Sequence, residues 1–138
     1  MNDLLLKQYI GLIECNNEEI SILANTSAFI MQNFQDISWA GFYLFKNNEL
    51  ILGPFQGKIA CTNIPLDKGV CGKAASTRKT VIVEDVHQFA GHIACDSESN
   101  SEIVIPLIKG NQSTSFSRFS KEDQIIFEEI SKILVQHL

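Results

Sequence analysis

The sequence has no long hydrophobic run and little positive charge. No stretch of its 138 residues approaches the roughly 20 apolar residues of a membrane-spanning helix. Lysine and arginine number 11 against 16 acidic residues, so the formal net charge is −5. This balance argues against the basic face of a nucleic-acid-binding protein and against a polybasic membrane contact. We therefore expect neither nucleic acid nor a membrane among the partners.

The sequence also gives no indication of an export signal or of a scaffold held together by disulfides. The apolar stretch over residues 1–13 carries Asp3 and Lys7, and no small-residue cleavage site follows it. We therefore expect a cytoplasmic protein, in which structural disulfides are rare. A chain with 45% hydrophobic residues and nine phenylalanines can form one ordinary core without them. Its four cysteines are then catalytic, metal-binding or simply buried.

The spacing of apolar residues predicts helices at both ends of the chain and a sheet between them. A short helix is predicted over residues 69–76, and Asn47-Asn48 predicts a hairpin turn. Gly53-Pro54 is expected to end the strand after that turn. This order indicates an α+β fold, a single domain over residues 1–138 whose antiparallel sheet has helices packed mainly on one side. The predicted strands cover residues 39–45, 50–52, 59–64, 81–83 and 103–108.

One turn signal has no strand after it. Lys109-Gly110-Asn111 follows a strongly apolar strand and predicts a hairpin. Residues 112–117 are few and polar, and the closing helix begins soon afterwards. We therefore expect that the strand which should follow this turn is missing.

Three of the cysteines lie in settings that allow chemistry. Cys95 lies in a polar loop over residues 85–100, where a reactive group can meet a solute. Cys71 lies near the start of the short helix, where backbone donors and the helix dipole favour a thiolate. Cys61 lies on a strand or at its end. Cys15, between two helices, is expected to be a small buried hydrophobe.

A zinc site is the alternative use of these cysteines. Suitable ligand types occur at Cys61, Cys71, His87, His92 and Cys95. Structural zinc sites, however, usually bring their ligands in pairs separated by two to four residues. Only His92 and Cys95 are that close, so we expect no metal.

Two aromatic residues and one carboxylate are candidate binding residues. Trp39 and Tyr43 are four residues apart on a predicted strand and therefore share one face, where they line either the core or a ligand pocket. Glu102 begins a very apolar strand. Its carboxylate either marks the exposed end of that strand or binds a cationic group of a ligand.

At these residues the chain resembles a known family, the free methionine-R-sulfoxide reductases, which are GAF-domain proteins. The matching runs cover most of the chain in the right order. The spacing of the three cysteines with the run around Cys95 is far more specific than a general GAF signature. The runs are Trp39-Ala-Gly-Phe-Tyr-Leu44, Leu52-Gly-Pro-Phe-Gln-Gly57, Gly69-Val-Cys-Gly-Lys-Ala-Ala75, Asp85-Val-His87, Gly91-His-Ile-Ala-Cys-Asp96, Ser101-Glu-Ile-Val-Ile-Pro106 and Arg118-Phe-Ser-Lys-Glu-Asp123.

The resemblance implies an enzyme that reduces free L-methionine-(R)-S-oxide to L-methionine. Cys95 matches the cysteine that attacks the sulfoxide, and Cys61 and Cys71 match two candidate resolving cysteines, of which the first to act is left open. The reaction would pass through a sulfenic acid and a disulfide, which thioredoxin reduces. No metal or organic cofactor is implied.

The resemblance also implies how substrate is held. Glu102 matches a substrate-binding carboxylate, and Trp39 and Tyr43 match aromatic residues around the S-methyl group. GAF domains often dimerise through their terminal helices, so a homodimer is compatible with the family. The alternative function is a non-catalytic GAF ligand sensor or redox sensor, because one fold hosts many functions. The three cysteines favour the enzyme, since sensing a small molecule does not need them.

One segment departs from the family pattern. The family has a strand reading roughly Gly-Val-Leu-Asp-Ile-Asp-Ser, whose two aspartates help to bind substrate. That strand is absent from this sequence, between Gln112 and Ser113. Either the protein truly lacks it or this sequence omits residues that the physical protein contains. We favour omission, because a lost internal strand would expose neighbouring backbone groups.

Overall fold

The structure, a computed structural model, describes residues 2–15, 18–35, 37–66, 69–83, 102–109, 112–119 and 124–138. It describes the backbone only for β6 and for Asn2, Val70, Ile82, Val83, Glu102, Lys109 and Gln124. Within these ranges the chain forms four helices and six strands. In chain order they are α1 (Asn2–Glu14), α2 (Glu19–Asn33), β1 (Ala40–Lys46), β2 (Glu49–Gln56), β3 (Asn63–Pro65), α3 (Gly69–Thr77), β4 (Val81–Val83), β5 (Glu102–Lys109), β6 (Gln112–Phe119) and α4 (Gln124–Gln136).

The six strands form one sheet in the order β3-β2-β1-β6-β5-β4, and all of their described pairings are antiparallel. Side chains of α1, α2 and α4 join one hydrophobic core on one face of the sheet. The smaller helix α3 joins a second core on the other face. The predicted α+β layout, with helices mainly on one side, is confirmed. No helix in the described ranges is both long enough and apolar enough to cross a membrane.

Strand alternation divides the apolar residues between the two cores. Phe42 packs into the helix-side core, whereas its neighbour Tyr43 packs into the second core. On β5, Ile103 belongs to the helix side and Val104 to the opposite side. Successive side chains of a strand point to opposite faces, so β1 and β5 each contribute to both layers.

The predicted hairpin between β1 and β2 is confirmed. Asn47 and Asn48 both have positive φ, 54° and 62°, as the favoured two-residue hairpin turn requires. Asparagine tolerates this conformation better than most residues because its short polar side chain can bond locally to the backbone. The Asn-Asn pair is therefore sufficient to reverse the chain.

The second strand of the hairpin is longer than predicted, so the expected end at Gly53-Pro54 is wrong. β2 continues to Gln56, and its register with β1 shifts at these two residues. A proline has no N–H to donate, and a bulge is the place in a sheet where that loss is tolerated. The bulge lets the strand pass through the proline.

The third strand is shorter than predicted. We expected a strand over residues 59–64, but β3 covers only Asn63–Pro65. The residues before it have no regular structure, and the carbonyls of Lys58 and Cys61 accept hydrogen bonds from side chains instead of from a neighbouring strand. Contacts with residues distant in sequence therefore override the local preference of this segment for a strand.

The expectation that no strand follows the turn at residues 109–111 is wrong. β6 spans Gln112–Phe119 and pairs with both β5 and β1. The polar composition of these residues misled the prediction, but a gap here would leave two apolar strands with unpaired backbone groups. The Gly-Val-Leu-Asp-Ile-Asp-Ser run of the family does not occur in β6.

The local expectation for Cys15 is also wrong. Cys15 follows the last residue of α1 and is exposed, with a free thiol. The next helix begins without a side-chain cap, because its N-cap residue is Glu18 and makes no capping hydrogen bond. Cys15 and Glu18, the described residues between the two helices, are thus both exposed.

Candidate functional site

The second core is the candidate site, because it gathers four of the six predicted site residues. Trp39, Tyr43 and Cys71 are buried in it, and Cys61 packs against it from a half-buried position. β1 supplies Tyr43, the residue just before β1 is Trp39, α3 supplies Cys71, and the segment before β3 supplies Cys61. The other buried members are Leu50, Ala60, Ile64, Ala74 and Val104.

Three aromatic rings form the centre of this core. The Trp39 ring stacks on Phe55 at 5.3 Å between centroids and lies 6.2 Å from Tyr43, with interplanar angles of 17° and 24°. Stacked rings of this kind stabilise a core beyond the area that they bury. Trp39 is 2% exposed and Tyr43 is 0% exposed, so neither side chain presents surface to a solute in this conformation. The prediction that these two residues share one face is confirmed.

Two glycines hold the Trp39 indole in place. A Cβ on Gly41 would lie 2.8 Å from the indole Cη2 atom and 2.3 Å from the Phe55 Cβ. A Cβ on Gly57 would lie 2.8 Å from the indole Cδ1 atom, and Gly57 has a φ of +127° that side chains rarely adopt. Both ends of the ring are therefore enclosed by backbone that tolerates no larger residue.

Residues 58–62, which we call the Cys61 segment, are bound to the sheet through three carbonyls. The Trp39 indole N–H donates to the Lys58 carbonyl at 3.1 Å. The Tyr43 hydroxyl donates to the Cys61 carbonyl at 2.8 Å. The Leu52 backbone N–H donates to the Thr62 carbonyl at 2.8 Å. A segment without regular structure thus takes its position from β1 and β2.

The cysteines of the site are in different states. Cys61 is disulfide-bonded, whereas Cys71 is buried and not disulfide-bonded. Cys71 lies in the first turn of α3, as predicted. The adjacent Gly72 lets that helix approach the end of β3, because a Cβ there would lie 2.7 Å from the Pro65 carbonyl oxygen.

The remaining predicted residues are only partly placed. Cys95, His87 and His92 lie outside the described residues. Glu102 is the first residue of β5 and pairs with Val83 of β4, and its carboxylate is not described. Within the described ranges no three His, Cys, Asp or Glu residues are grouped as metal ligands would be.

Sequence reasoning missed Phe55 and the two glycines around Trp39. Gly57 and Phe55 belong to one of the runs that resemble the family, but that resemblance did not indicate their structural roles. A glycine that packs against a bulky aromatic ring only in the folded protein leaves no signature in the local sequence. The strand register that brings Gly41 opposite Phe55 exists only in the folded sheet.

Comparison with known proteins identifies the family. No protein-family model matches the chain. The chain is 48% identical to the free methionine-R-sulfoxide reductase of Escherichia coli (strain K12) over 128 residues, which cover 87% of this chain and 78% of the relative. The chain belongs to the free methionine-R-sulfoxide reductases. The resemblance seen in the sequence is confirmed.

Solved structures of free methionine-R-sulfoxide reductases have the same fold. The reduced form of fRMsr of Staphylococcus aureus has a TM-score of 0.94 at 47% identity, with 99% of this chain and 94% of that chain covered. The enzyme of Neisseria meningitidis, solved in complex with its substrate, has a TM-score of 0.93 at 36% identity, with 99% and 87% covered. The single GAF fold is therefore shared over nearly the full chain.

Replacing Gly57 with alanine should damage the aromatic centre. The positive φ and the close approach to the Trp39 ring predict a loss of about 2–4 kcal/mol in the free energy of unfolding. Because Trp39 is the single tryptophan of the chain, its fluorescence emission should shift to longer wavelength as the ring becomes more exposed. Denaturant unfolding followed by fluorescence measures both effects.

Gly11→Ala is the matched control for this substitution. Gly11 lies in α1, and a Cβ there would meet nothing within 4 Å. Alanine should therefore stabilise the helix by about 0.5–1 kcal/mol and leave the emission unchanged. Equal stability of the two variants would contradict the role given to Gly57.

Proposed function

We propose that this protein reduces free L-methionine-(R)-S-oxide to L-methionine with Cys95 as the nucleophile. The observation that carries the proposal is 48% identity to a free methionine-R-sulfoxide reductase over most of both chains. The enzyme of Neisseria meningitidis, solved with its substrate, has the same fold at 36% identity. The disulfide at Cys61, within the predicted site, is the kind of bond that such a reaction leaves behind.

The first step transfers oxygen from the substrate to the enzyme. The Cys95 thiolate attacks the sulfoxide sulfur while a proton is delivered to the sulfoxide oxygen. The substrate sulfur gains two electrons and leaves as the thioether of methionine. Cys95 loses the same two electrons and keeps the oxygen as a sulfenic acid.

The second step closes a disulfide, and we assign it to Cys61. The Cys61 thiol attacks the sulfenic sulfur of Cys95, an S–S bond forms and water leaves. Two features support Cys61 over Cys71. Cys61 is disulfide-bonded and only half-buried, whereas Cys71, in the first turn of α3, is buried and not disulfide-bonded. A thiol in a helix can also move less than one in a segment without regular structure.

The last step returns the enzyme to its dithiol form. We propose thioredoxin as the reductant, in the cytoplasm, through exchange of its two thiols with the disulfide. One thiol attacks the Cys61 sulfur, and the second thiol then releases the reduced enzyme. The half-buried position of Cys61 leaves its sulfur more accessible to a protein thiol than that of Cys71. A single domain, alone or as a homodimer, is sufficient for this cycle.

Substrate binding is assigned to Glu102, Trp39 and Tyr43. A carboxylate that binds the substrate ammonium explains a preference for the free amino acid, because methionine within a peptide carries no such charge. The two aromatic residues would contact the S-methyl group in the reduced enzyme. Both side chains are buried in the second core, beside the Cys61 segment to which they donate hydrogen bonds.

Cys95→Ser should abolish turnover of free methionine-R-sulfoxide, because the hydroxyl is a poor nucleophile at neutral pH. The matched control is Cys15→Ser, since Cys15 is an exposed thiol with no role in the cycle and its loss should leave turnover unchanged. Reductant-dependent methionine formation measures both. Full activity of Cys95→Ser would remove Cys95 as the nucleophile.

The two candidate resolving thiols can be separated without any reductant. Reduced Cys61→Ser enzyme should release one methionine per protein and then stop, with Cys95 held as a sulfenic acid. Cys71→Ser should release the same single methionine and close the disulfide. A dimedone adduct detected by intact mass distinguishes the two, and disulfide closure in Cys61→Ser would contradict our assignment. If the folded wild-type protein releases no methionine, the alternative of a non-catalytic sensor holds.

Glu102→Gln should raise the KM for the sulfoxide by about 10- to 100-fold, because a charge-assisted hydrogen bond to the ammonium is lost. The effect should be large because this sequence lacks the family run that carries two further aspartates. Glu129→Gln is the control, as Glu129 makes only an exposed ion pair with Lys132 at 3.6 Å. An unchanged KM in Glu102→Gln would remove Glu102 from the binding site.

A further inference from the structure

The hydroxyl of Tyr43 makes a contact that binding of an S-methyl group does not require. It donates a 2.8 Å hydrogen bond to the backbone carbonyl of Cys61 itself. Tyr43 lies on β1, paired with Leu52 of β2 and Phe116 of β6, so its backbone is held on both sides. One of the most firmly held side chains of the sheet is thus bonded to the residue that carries the resolving thiol.

The Cys61 segment belongs to no helix or strand, so a few contacts with the sheet order it, among them the Tyr43 hydrogen bond and the backbone hydrogen bond from Leu52 to the Thr62 carbonyl. Within the segment Ile59 is 90% exposed, while Ala60 is buried in the second core. Fixing the backbone of one residue costs about 1–2 kcal/mol of conformational entropy, and hydrogen bonds from the sheet offset part of that cost.

We propose that Tyr43 is a positioning residue for disulfide closure: its hydroxyl holds the Cys61 segment in the conformation from which the Cys61 thiol reaches the sulfenic acid of Cys95. The inference rests on the proposed function, in which Cys61 is the resolving thiol. Trp39 adds a second, weaker contact through its 3.1 Å hydrogen bond to Lys58, three residues before Cys61. The Cys61–Cys95 bond forms as water leaves, so the step needs no other oxidant.

The rate of closure depends on how often the segment occupies this conformation. When a reactive conformation is only fractionally populated, the observed rate falls by that fraction. Loss of the Tyr43 hydroxyl leaves a carbonyl without this donor and releases the segment toward other conformations. The oxygen-transfer step, by contrast, uses Cys95 and the substrate and does not require Cys61 to be in place.

Tyr43→Phe tests the proposal, because it removes the donor and keeps the ring. Reduced enzyme is mixed with methionine-R-sulfoxide without reductant and quenched with acid at intervals. Free methionine, the disulfide and the dimedone adduct of Cys95 are then measured. Because Tyr43 is also assigned to substrate binding, the methionine burst itself is expected to slow, so closure is measured separately as the conversion of the accumulated sulfenic acid to the disulfide after the burst is complete. Disulfide closure should slow about five- to tenfold, with more trapped sulfenic acid, as expected for the loss of one buried hydrogen bond.

Tyr9→Phe is the matched control. The chain has two tyrosines, and both are fully buried with a hydroxyl in a 2.8 Å hydrogen bond. The partner of Tyr9 is Thr26 in the helix-side core, far from the Cys61 segment in the fold. Burial raises the pKa of Tyr9 well above its usual value, and the Thr26 hydrogen bond lowers it in part, so the Tyr9 hydroxyl stays protonated. Its loss should cost similar stability and leave closure unchanged.

The outcomes distinguish the positioning role of Tyr43 from the proposed function. Closure that is as fast in Tyr43→Phe as in wild type, or equally slowed in Tyr9→Phe, overturns the positioning role. No methionine burst in any variant overturns the proposed function instead. Trp39→Phe provides a second, independent reading through the Lys58 contact. It should slow closure by about two- to fivefold, in line with its longer hydrogen bond.

Discussion

The antiparallel pairing of β1 on both sides is the constraint on which the rest of the structure depends. With β2 on one edge and β6 on the other, the alternation of β1 must send successive side chains to opposite faces. Phe42 thereby enters the helix-side core, and Tyr43 enters the second core where the cysteines lie. β1 therefore both stabilises the fold and positions the candidate site. A change in its register would displace Phe42 and Tyr43 together.

The polar strand β6 shows how strongly this constraint acts. Its residues have little intrinsic preference for a central strand, yet they occupy the position between two apolar strands. Backbone pairing is available to any residue with an N–H and a carbonyl, and leaving β1 and β5 unpaired would cost more than placing serines there. A strand can keep its backbone pairing without carrying the side chains that bind a substrate. The family aspartates are not among these residues.

The two candidate resolving cysteines differ in what holds them. Cys71 is fixed by a helix whose close approach to β3 requires Gly72, and its thiol is buried and not disulfide-bonded. Cys61 lies in a segment without regular structure that is bonded to the sheet through carbonyl oxygens. Such a segment can hold a sulfur in place and still let it move, which suits the resolving role that we propose for Cys61.

Local sequence patterns by themselves determined the helices, the Asn47-Asn48 turn, most strands and the family, because spacing, turn chemistry and motif order are written along the chain. The tertiary structure alone decided that β2 passes through Pro54, that Cys15 is exposed and that β6 exists. It also decided that the Cys61 segment is bonded to Trp39 and Tyr43. Each of these depends on a partner distant in sequence, and a hydrogen bond between such partners leaves no pattern in either local segment.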